Sequence, residues 1–161
     1  MDNHKKWLKN FDQSLGNYIA GFVDGEGSFN VSLKTRKDYK NDWKLHPSFN
    51  ISQKDRVILA LFKKELGCGT LRERKDGVVY YEVVNIEMLQ KRIIPFFKKF
   101  RFLSASKKKN FSIFTEIVDL IYKKQHLKKD GFRRILELRE KLNIGAGRKR
   151  KYSIKDVIIK K

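Results

Sequence analysis

The chain has 161 residues, with 38 Lys and Arg against 18 Asp and Glu, so its formal net charge is +20. A single cysteine excludes an internal disulfide framework, and three histidines that lie far apart in sequence argue against a structural zinc site. Its longest apolar runs, 57–62 and 93–97, are too short to span a membrane. We therefore expect a polyanion, nucleic acid rather than a lipid surface, to be the partner that balances this charge.

The first long predicted element is a helix that begins near Ser14 and ends with the sequence YIAGFVDGEG at 18–27. Gly21 and Gly25 lie four residues apart, so they share one helix face that another helix can approach closely. Glu26 is placed where the helix should end. The unpaired carbonyls of a helix C-terminus, with a carboxylate beside them, suit a hard divalent cation. A glycine-capped helix without further chemistry is the alternative interpretation.

From Ser28 the hydrophobic pattern changes to period two, which predicts an antiparallel hairpin formed by 28–36 and 43–52. One face is apolar. The other face carries hydrogen-bonding and cationic side chains without any carboxylate, whereas an ordinary solvated strand mixes Glu and Asp with Lys. Such a row suits base edges and phosphates, although a merely polar outer face is the alternative. Its members are Ser28, Asn30, Ser32, Lys34, Arg36, Lys44, His46, Ser48, Asn50 and Ser52.

A helix over 54–66 separates this hairpin from a second one, formed by 70–74 and 79–84. Helices over 86–93 and 104–124 follow, so the order αββαββα predicts an α+β fold with a four-stranded antiparallel sheet, one face covered by helices and the other basic. Extra helical segments come after residue 124. We divide the chain into a basic leader (1–13), a core domain (14–124) and a C-terminal helical and basic extension (125–161), whose cationic run at 148–151 suits phosphate contacts.

The segment IAGFVDGEG at 19–27 resembles the signature of the LAGLIDADG homing endonucleases, and the αββαββα order extends this resemblance over about residues 15–122. The resemblance implies that the motif helix packs against the same helix of a second domain. Because only one copy of the motif occurs and the chain has half the length of two-motif members, it implies a homodimer that binds a pseudo-palindromic site in double-stranded DNA. The implied dimer interface contains Ala20, Gly21, Asp24 and Gly25.

The resemblance also implies roles for individual residues. Glu26, with the Gly25 carbonyl, would bind Mg²⁺ (or Mn²⁺ or Ca²⁺ at the same sites), and no small-molecule cofactor is expected. Asp24, the earlier acid of the motif, is expected to be structural. Gln53 matches a catalytic polar residue after the second strand, and Lys107 matches a catalytic lysine, although Lys108 and Lys109 compete for that role. The implied DNA face combines the polar row of the first hairpin with Arg72, Arg74, Tyr80 and Glu82 of the second.

Glu82 fits two roles, because it can accept a hydrogen bond from a cytosine amine or form an ion pair within the protein. The implied function is that of an intron-encoded, site-specific endonuclease that cuts both DNA strands and leaves 3′ overhangs. An intron RNA maturase and a catalytically inactive DNA-binding regulator are the alternatives on this fold, and Glu26 with Gln53 favours the nuclease. The tripeptide Glu73–Lys75 matches the E-x-K pattern of restriction enzymes, but it is common and no paired Asp accompanies it. The Lys-, Asn-, Ile- and Phe-rich composition suits an AT-rich organellar genome, so we expect an intracellular, organellar location.

Overall fold

The structure, a computed structural model, describes residues 6–39, 42–145 and 149–158. The strands are β1 (Gly27–Thr35), β2 (Trp43–Gln53), β3 (Thr70–Glu73) and β4 (Val79–Val83). The helices are α1 (Lys6–Lys9), α2 (Gln13–Glu26), α3 (Arg56–Leu66), α4 (Ile86–Met88), α5 (Ile94–Lys99), α6 (Ala105–Tyr122), α7 (Lys129–Lys141) and α8 (Ile154–Ile158), with a π-helical turn at Leu89–Ile93 and a 3-10 turn at Gln125–Leu127. The four strands form one antiparallel sheet in the order β1-β2-β4-β3, which confirms the predicted αββαββα order and α+β class.

Alternation along the strands buries one face of the sheet under the helices. Phe29 of β1 is the centre of an aromatic cluster, with ring centroids 5.2 Å from Phe49 and 5.1 Å from Phe114 of α6. Tyr81 of β4 is fully buried and donates its hydroxyl to the Cys68 carbonyl at 2.9 Å. Aromatic pairs at these separations add packing energy beyond their buried area. This core leaves the opposite, polar face of the sheet uncovered.

The motif lies on α2, which runs directly into β1. The helix begins at Gln13, within one residue of the predicted start, but its N-cap is Asp12 and not Ser14: the Asp12 carboxylate accepts from the Leu15 N–H at 2.7 Å. At the other end the Gly27 N–H bonds to the Val23 carbonyl, and Gly27 is already extended. Glu26 is therefore fixed at the junction between helix and sheet, without an intervening loop.

The side chains of α2 divide into a buried and an exposed set. Ala20 is only 2% exposed and packs in the core with Ile19 and Val23. The assignment of Ala20 to a dimer interface is therefore wrong, because its methyl group faces its own sheet. Gly21 and Gly25 are exposed, and a Cβ added to either would meet no atom within 4 Å. The glycine face of the motif helix is open.

Both predicted end segments pack against the central domain, and the boundaries drawn at 13 and 124 stay predictions. Leu8 of α1 is buried in the main core, and Ile135 and Leu138 of α7 join the same core. A smaller cluster lies at the end of the first hairpin and contains Leu33, Trp43, Phe132, Leu136 and Val157. Within the ranges that the structure describes, no helix is both long and apolar enough to cross a bilayer.

Candidate nucleic-acid interface and active site

The strand register brings the polar rows of both hairpins to the same open face. Across β1 and β2 the pairs are Ser28–Asn50, Asn30–Ser48, Ser32–His46 and Lys34–Lys44. Farther across the sheet they are Asn50–Glu82, Ser52–Tyr80, Thr70–Glu82 and Arg72–Tyr80. Thr70 was missed in the sequence, although its two-residue spacing from Arg72 places it on this face. The sheet thus presents a row of donors and acceptors on one face, although Ser48 within it is buried and only 6% exposed.

Two predicted cations lie just beyond the strands and are held by neighbouring side chains. Arg36 follows β1 and donates to both carboxylate oxygens of Asp38, at 2.7 and 2.5 Å. Arg74 follows β3 and donates to the Tyr80 hydroxyl at 2.7 Å, with Asp76 at 3.0 Å. These contacts fix the orientation of both guanidinium groups at the rim of the polar face. Each retains donors that are exposed to solvent.

An open groove of about 1420 Å³ runs over this face, from the end of the motif helix to β3. One wall of it is formed by α6, α7 and the residues that follow α7. This wall contributes Asn110, Arg139, Asn143, Lys149, Arg150 and Lys151. The cationic run at 148–151 is the sequence signal for this wall, and the rest depends on contacts between distant segments. Position 148 lies outside the described residues.

Two side chains attach this wall to the outer edge of β1. Arg139 is 4% exposed and donates through Nε to the Val31 carbonyl at 2.7 Å. Asn143 donates through Nδ2 to the Phe29 carbonyl at 2.7 Å. Since an edge strand leaves backbone groups unpaired, these bonds satisfy two acceptors and close the edge. The groove therefore has a fixed wall on the side of β1.

The groove is strongly cationic, and the carboxylates among its lining residues, Asp24 and Glu82, are both engaged. Glu82 accepts from the guanidinium of Arg72 at 2.6 Å, and its side chain is only 23% exposed. Of its two expected roles, the internal ion pair is the one that the structure shows. The Arg72 side chain is 69% exposed, so its remaining donors are available to the groove.

His46 lies near the centre of the polar face and differs from the lysines around it. Partial burial lowers its pKa, the Lys34 and Lys44 charges lower it further, and only Glu82 opposes them. The imidazole is therefore neutral near neutral pH and offers one donor and one acceptor. Such a group suits hydrogen bonding to a base edge better than it suits phosphate neutralisation.

Glu26 is the last residue of α2, and its side chain is exposed. It makes no hydrogen bond or ion pair with any described residue. A carboxylate beside backbone carbonyls of a helix end supplies the oxygen ligands that Mg²⁺ and Ca²⁺ prefer, so these groups fit a hard cation. No group of three or more His, Cys, Asp or Glu side chains forms a ready-made metal site in the described part of the chain.

Lys107 is the cation nearest to this helix end. It lies in the first turn of α6, and its ammonium group donates to the carbonyl oxygen of Gly27, the residue after Glu26. Burial lowers the Lys107 pKa, while the charges of Asp24 and Glu26 oppose that shift. Lys108 and Lys109 are exposed, whereas Lys107 is half-buried, so the geometry distinguishes it from its two neighbours.

Gln53 is the last residue of β2 and pairs with Val79 of β4. It shares strand parity with the buried Phe49 and Ile51, so it lies on the covered side of the sheet, and it is half-buried. It is not among the residues that line the groove. Of the expected catalytic residues, Lys107 contacts the end of the motif helix next to Glu26, and the role of Gln53 stays a prediction.

Residues 19–118 match the family model described as LAGLIDADG endonuclease. The chain belongs to the LAGLIDADG endonuclease family. Its match to "Probable intron-encoded endonuclease 2" of Neurospora crassa is 34% identical over 145 residues, 88% of this chain and 32% of the fungal protein. Its match to "Homing endonuclease I-ApeII" of Aeropyrum pernix is 34% identical over 106 residues, 65% of this chain and 62% of the archaeal protein.

Among solved structures, the LAGLIDADG fold of this chain is similar to the archaeal intron-encoded homing endonuclease I-Vdi141I in complex with DNA. The TM-score is 0.83 at 33% sequence identity, and the match covers 91% of this chain and 93% of the other. The chain thus spans about a third of the fungal relative but nearly all of the I-Vdi141I chain.

Proposed function

We propose that this LAGLIDADG protein is a site-specific, intron-encoded homing endonuclease that cuts both strands of a long pseudo-palindromic DNA site and leaves 3′ overhangs. The observation that carries the proposal is the position of Glu26, an exposed carboxylate that makes no hydrogen bond or ion pair with the described residues, at the end of a basic groove whose own carboxylates are engaged. The names of the relatives and the DNA complex of I-Vdi141I support it.

Glu26 and the Gly25 carbonyl are the groups that would hold Mg²⁺, with Mn²⁺ or Ca²⁺ able to take the same position. When bound, the cation would stabilise charge on the phosphate and activate water. Two further side chains have roles in this proposal. The Lys107 ammonium, which contacts the Gly27 carbonyl, would stabilise negative charge at the scissile phosphate, and the Gln53 amide would hold a water by hydrogen bonds.

The active form in this proposal is a homodimer built on the exposed face of α2. Gly21 and Gly25 allow close helix approach, and apolar side chains border them: Tyr18 is 51% exposed and Leu103 is 84% exposed. Asp24, one residue before Gly25, lies at the margin of this face. Packing two such faces around a twofold axis brings two Glu26 carboxylates together, one for each DNA strand. The two grooves then extend in opposite directions along a pseudo-palindromic site.

The direct test is cleavage of a supercoiled plasmid that carries the host gene's uninterrupted insertion site. We expect linear product with Mg²⁺ and none with EDTA, because the reaction needs a bound cation. The matched substrate is the same plasmid with the intron in place, which separates the two halves of the site and should stay uncut. Equal cutting of both plasmids, or none of either, would contradict a homing endonuclease.

The Arg72–Glu82 ion pair gives a prediction about base recognition. We expect Glu82→Gln to relax the preference at the same base pair as Arg72→Ala, because Glu82 orients a guanidinium that reads a guanine. Loss of a good bidentate contact should reduce discrimination there by about 1–3 kcal/mol. The measurement is DNA binding across a panel of targets with every single-base change.

Arg74→Ala is the control, since Arg74 is held by Tyr80 instead of Glu82. It should alter a different position or none. If Glu82→Gln and Arg72→Ala reduce sequence discrimination at two different base pairs, Glu82 contacts a base itself and its role in orienting Arg72 is wrong.

A further inference from the structure

The Asp24 carboxylate joins the motif helix to the loop before α6. Its Oδ2 accepts from the Leu103 N–H at 2.9 Å and from the Ser104 N–H at 3.0 Å, and its Oδ1 accepts from the Ser104 hydroxyl. These partners are 79 and 80 residues away in sequence. One side chain therefore fixes the start of α6 to the last turn of α2.

Ser104 contacts both Asp24 and the backbone of Lys107. It is the N-cap of α6, and its Oγ accepts from the Lys107 N–H at 3.4 Å while its hydroxyl donates to Asp24. A carboxylate is favoured at a helix N-terminus, where the backbone N–H groups carry partial positive charge. Burial would raise the Asp24 pKa, but the bonds from Ser104 and Leu103 and the Lys107 charge lower it overall.

The contacts close into a ring. Lys107 extends from the first turn of α6 back to the Gly27 carbonyl, three residues after Asp24 and one after Glu26. The end of the motif helix thus contacts α6 at two points, through Asp24 with Ser104 and through Gly27 with Lys107. Without the Asp24 bonds, α6 could shift relative to α2 and carry the Lys107 amine away from Glu26.

We propose that Asp24 is a positioning residue, whose bonds to Leu103 and Ser104 hold the Lys107 amine beside Glu26. This inference rests on the proposed function, in which Glu26 and Lys107 meet the scissile phosphate. Asp24 itself touches neither DNA nor metal in this role. The competing explanation is that Asp24 only stabilises α6, as any helix cap does.

Three variants separate the two explanations. Asp24→Ala removes the link and weakens the cap. Asp24→Ala combined with Ser104→Asp gives α6 a carboxylate N-cap of its own, but no bond to the motif helix. Asp24→Asn combined with Ser104→Asp reverses donor and acceptor, because the amide at position 24 donates to the new carboxylate at position 104. Only this last variant rebuilds the link.

The first readout needs neither DNA nor metal. Acetic anhydride labelling, followed by mass spectrometry, compares Lys107 with its exposed neighbour Lys108 in the full-length protein. We expect the labelling of Lys107 relative to Lys108 to rise about 10-fold in both Asp24→Ala variants, which corresponds to the loss of one hydrogen bond to a charged group. In the reversed pair the labelling should return toward the wild-type level. Asn85→Ala is the control, because it removes the N-cap bonds to Glu87 and Met88 at 3.0 and 3.1 Å without touching α6.

The second readout is single-turnover cleavage, set against the Kd for uncut target in Ca²⁺. Cleavage should fall about 10- to 100-fold in both Asp24→Ala variants with an unchanged Kd, and recover in the reversed pair. If the Asp24→Ala, Ser104→Asp variant shows wild-type labelling and cleavage, the proposal is overturned. A helix cap alone would then be enough to hold Lys107 in place, without the bond to the motif helix. If wild-type protein binds but never cuts while labelling follows the prediction, the proposed function fails and the positioning role stands.

Discussion

Replacing Glu26 with Gln should abolish DNA cleavage while leaving DNA binding nearly intact. The amide keeps the size of the side chain but loses the charge that would hold the cation, and several kcal/mol of transition-state stabilisation corresponds to a rate loss of about 1000-fold or more. Because Glu26 is exposed and makes no hydrogen bond or ion pair with the described residues, thermal stability should change little. The measurement is single-turnover cleavage beside a melting curve and a Kd for uncut DNA in Ca²⁺.

Glu65→Gln is a matched control, because it removes the same charge from α3, the helix that covers the opposite face of the sheet. It should cut at the wild-type rate. Cleavage that survives Glu26→Gln would remove Glu26 from the active site, and loss of binding along with cleavage would give Glu26 a role in DNA recognition instead.

Replacing Gly21 with Leu should dissociate the homodimer without unfolding the subunit. A Cβ at this position meets nothing within 4 Å in the chain itself, so the subunit has open space for the start of the new side chain, and the proposed partner helix is what it would meet. The subunit should melt at the same temperature or higher, since glycine inside a helix is less favourable than other residues by roughly 0.5–1 kcal/mol. Sedimentation velocity measures the dimer, and cleavage of both strands should disappear with it.

Gly16→Ala on the same helix provides the contrast. Its Cβ would lie 2.2 Å from the Phe100 ring, so this variant should lower the melting temperature through a clash inside the subunit. If Gly21→Leu leaves the dimer unaltered, the interface lies elsewhere on the protein.

Most of the fold follows from short-range patterns in the sequence. Period-two alternation gives both hairpins their covered and open faces, because a strand presents every second side chain to the same side. The polar row from Ser28 to Ser52 therefore lies on one face, as predicted. The predicted end of the helix over 54–66 is confirmed, since α3 ends at Leu66 before Gly67, whereas its start lies two residues later than predicted because Asp55 is the N-cap.

Contacts between segments that lie far apart in the chain could not be predicted from the sequence. The Asp24 bonds to Leu103 and Ser104, and the Arg139 and Asn143 bonds to the edge of β1, span about 80 to more than 100 residues. The Arg72–Glu82 pair depends on a diagonal contact between β3 and β4 that needs the exact register. Ala20 is the reverse case: proximity to Gly21 in sequence suggested a shared face, yet one residue rotates a helical side chain by about 100°, into the core.

In the proposed enzyme, one helix of each subunit supplies both the dimer interface and the metal ligand, so that each subunit cuts one strand. A mixed dimer of one wild-type and one Glu26→Gln subunit, purified with two different affinity tags, tests it most directly on the supercoiled plasmid. We expect a nicked circle with Mg²⁺ and no linear product, because only one Glu26 remains. Linear product at the wild-type rate would show that a single Glu26 serves both strands, and intact supercoiled plasmid would show that neither strand can be cut unless both carboxylates are present.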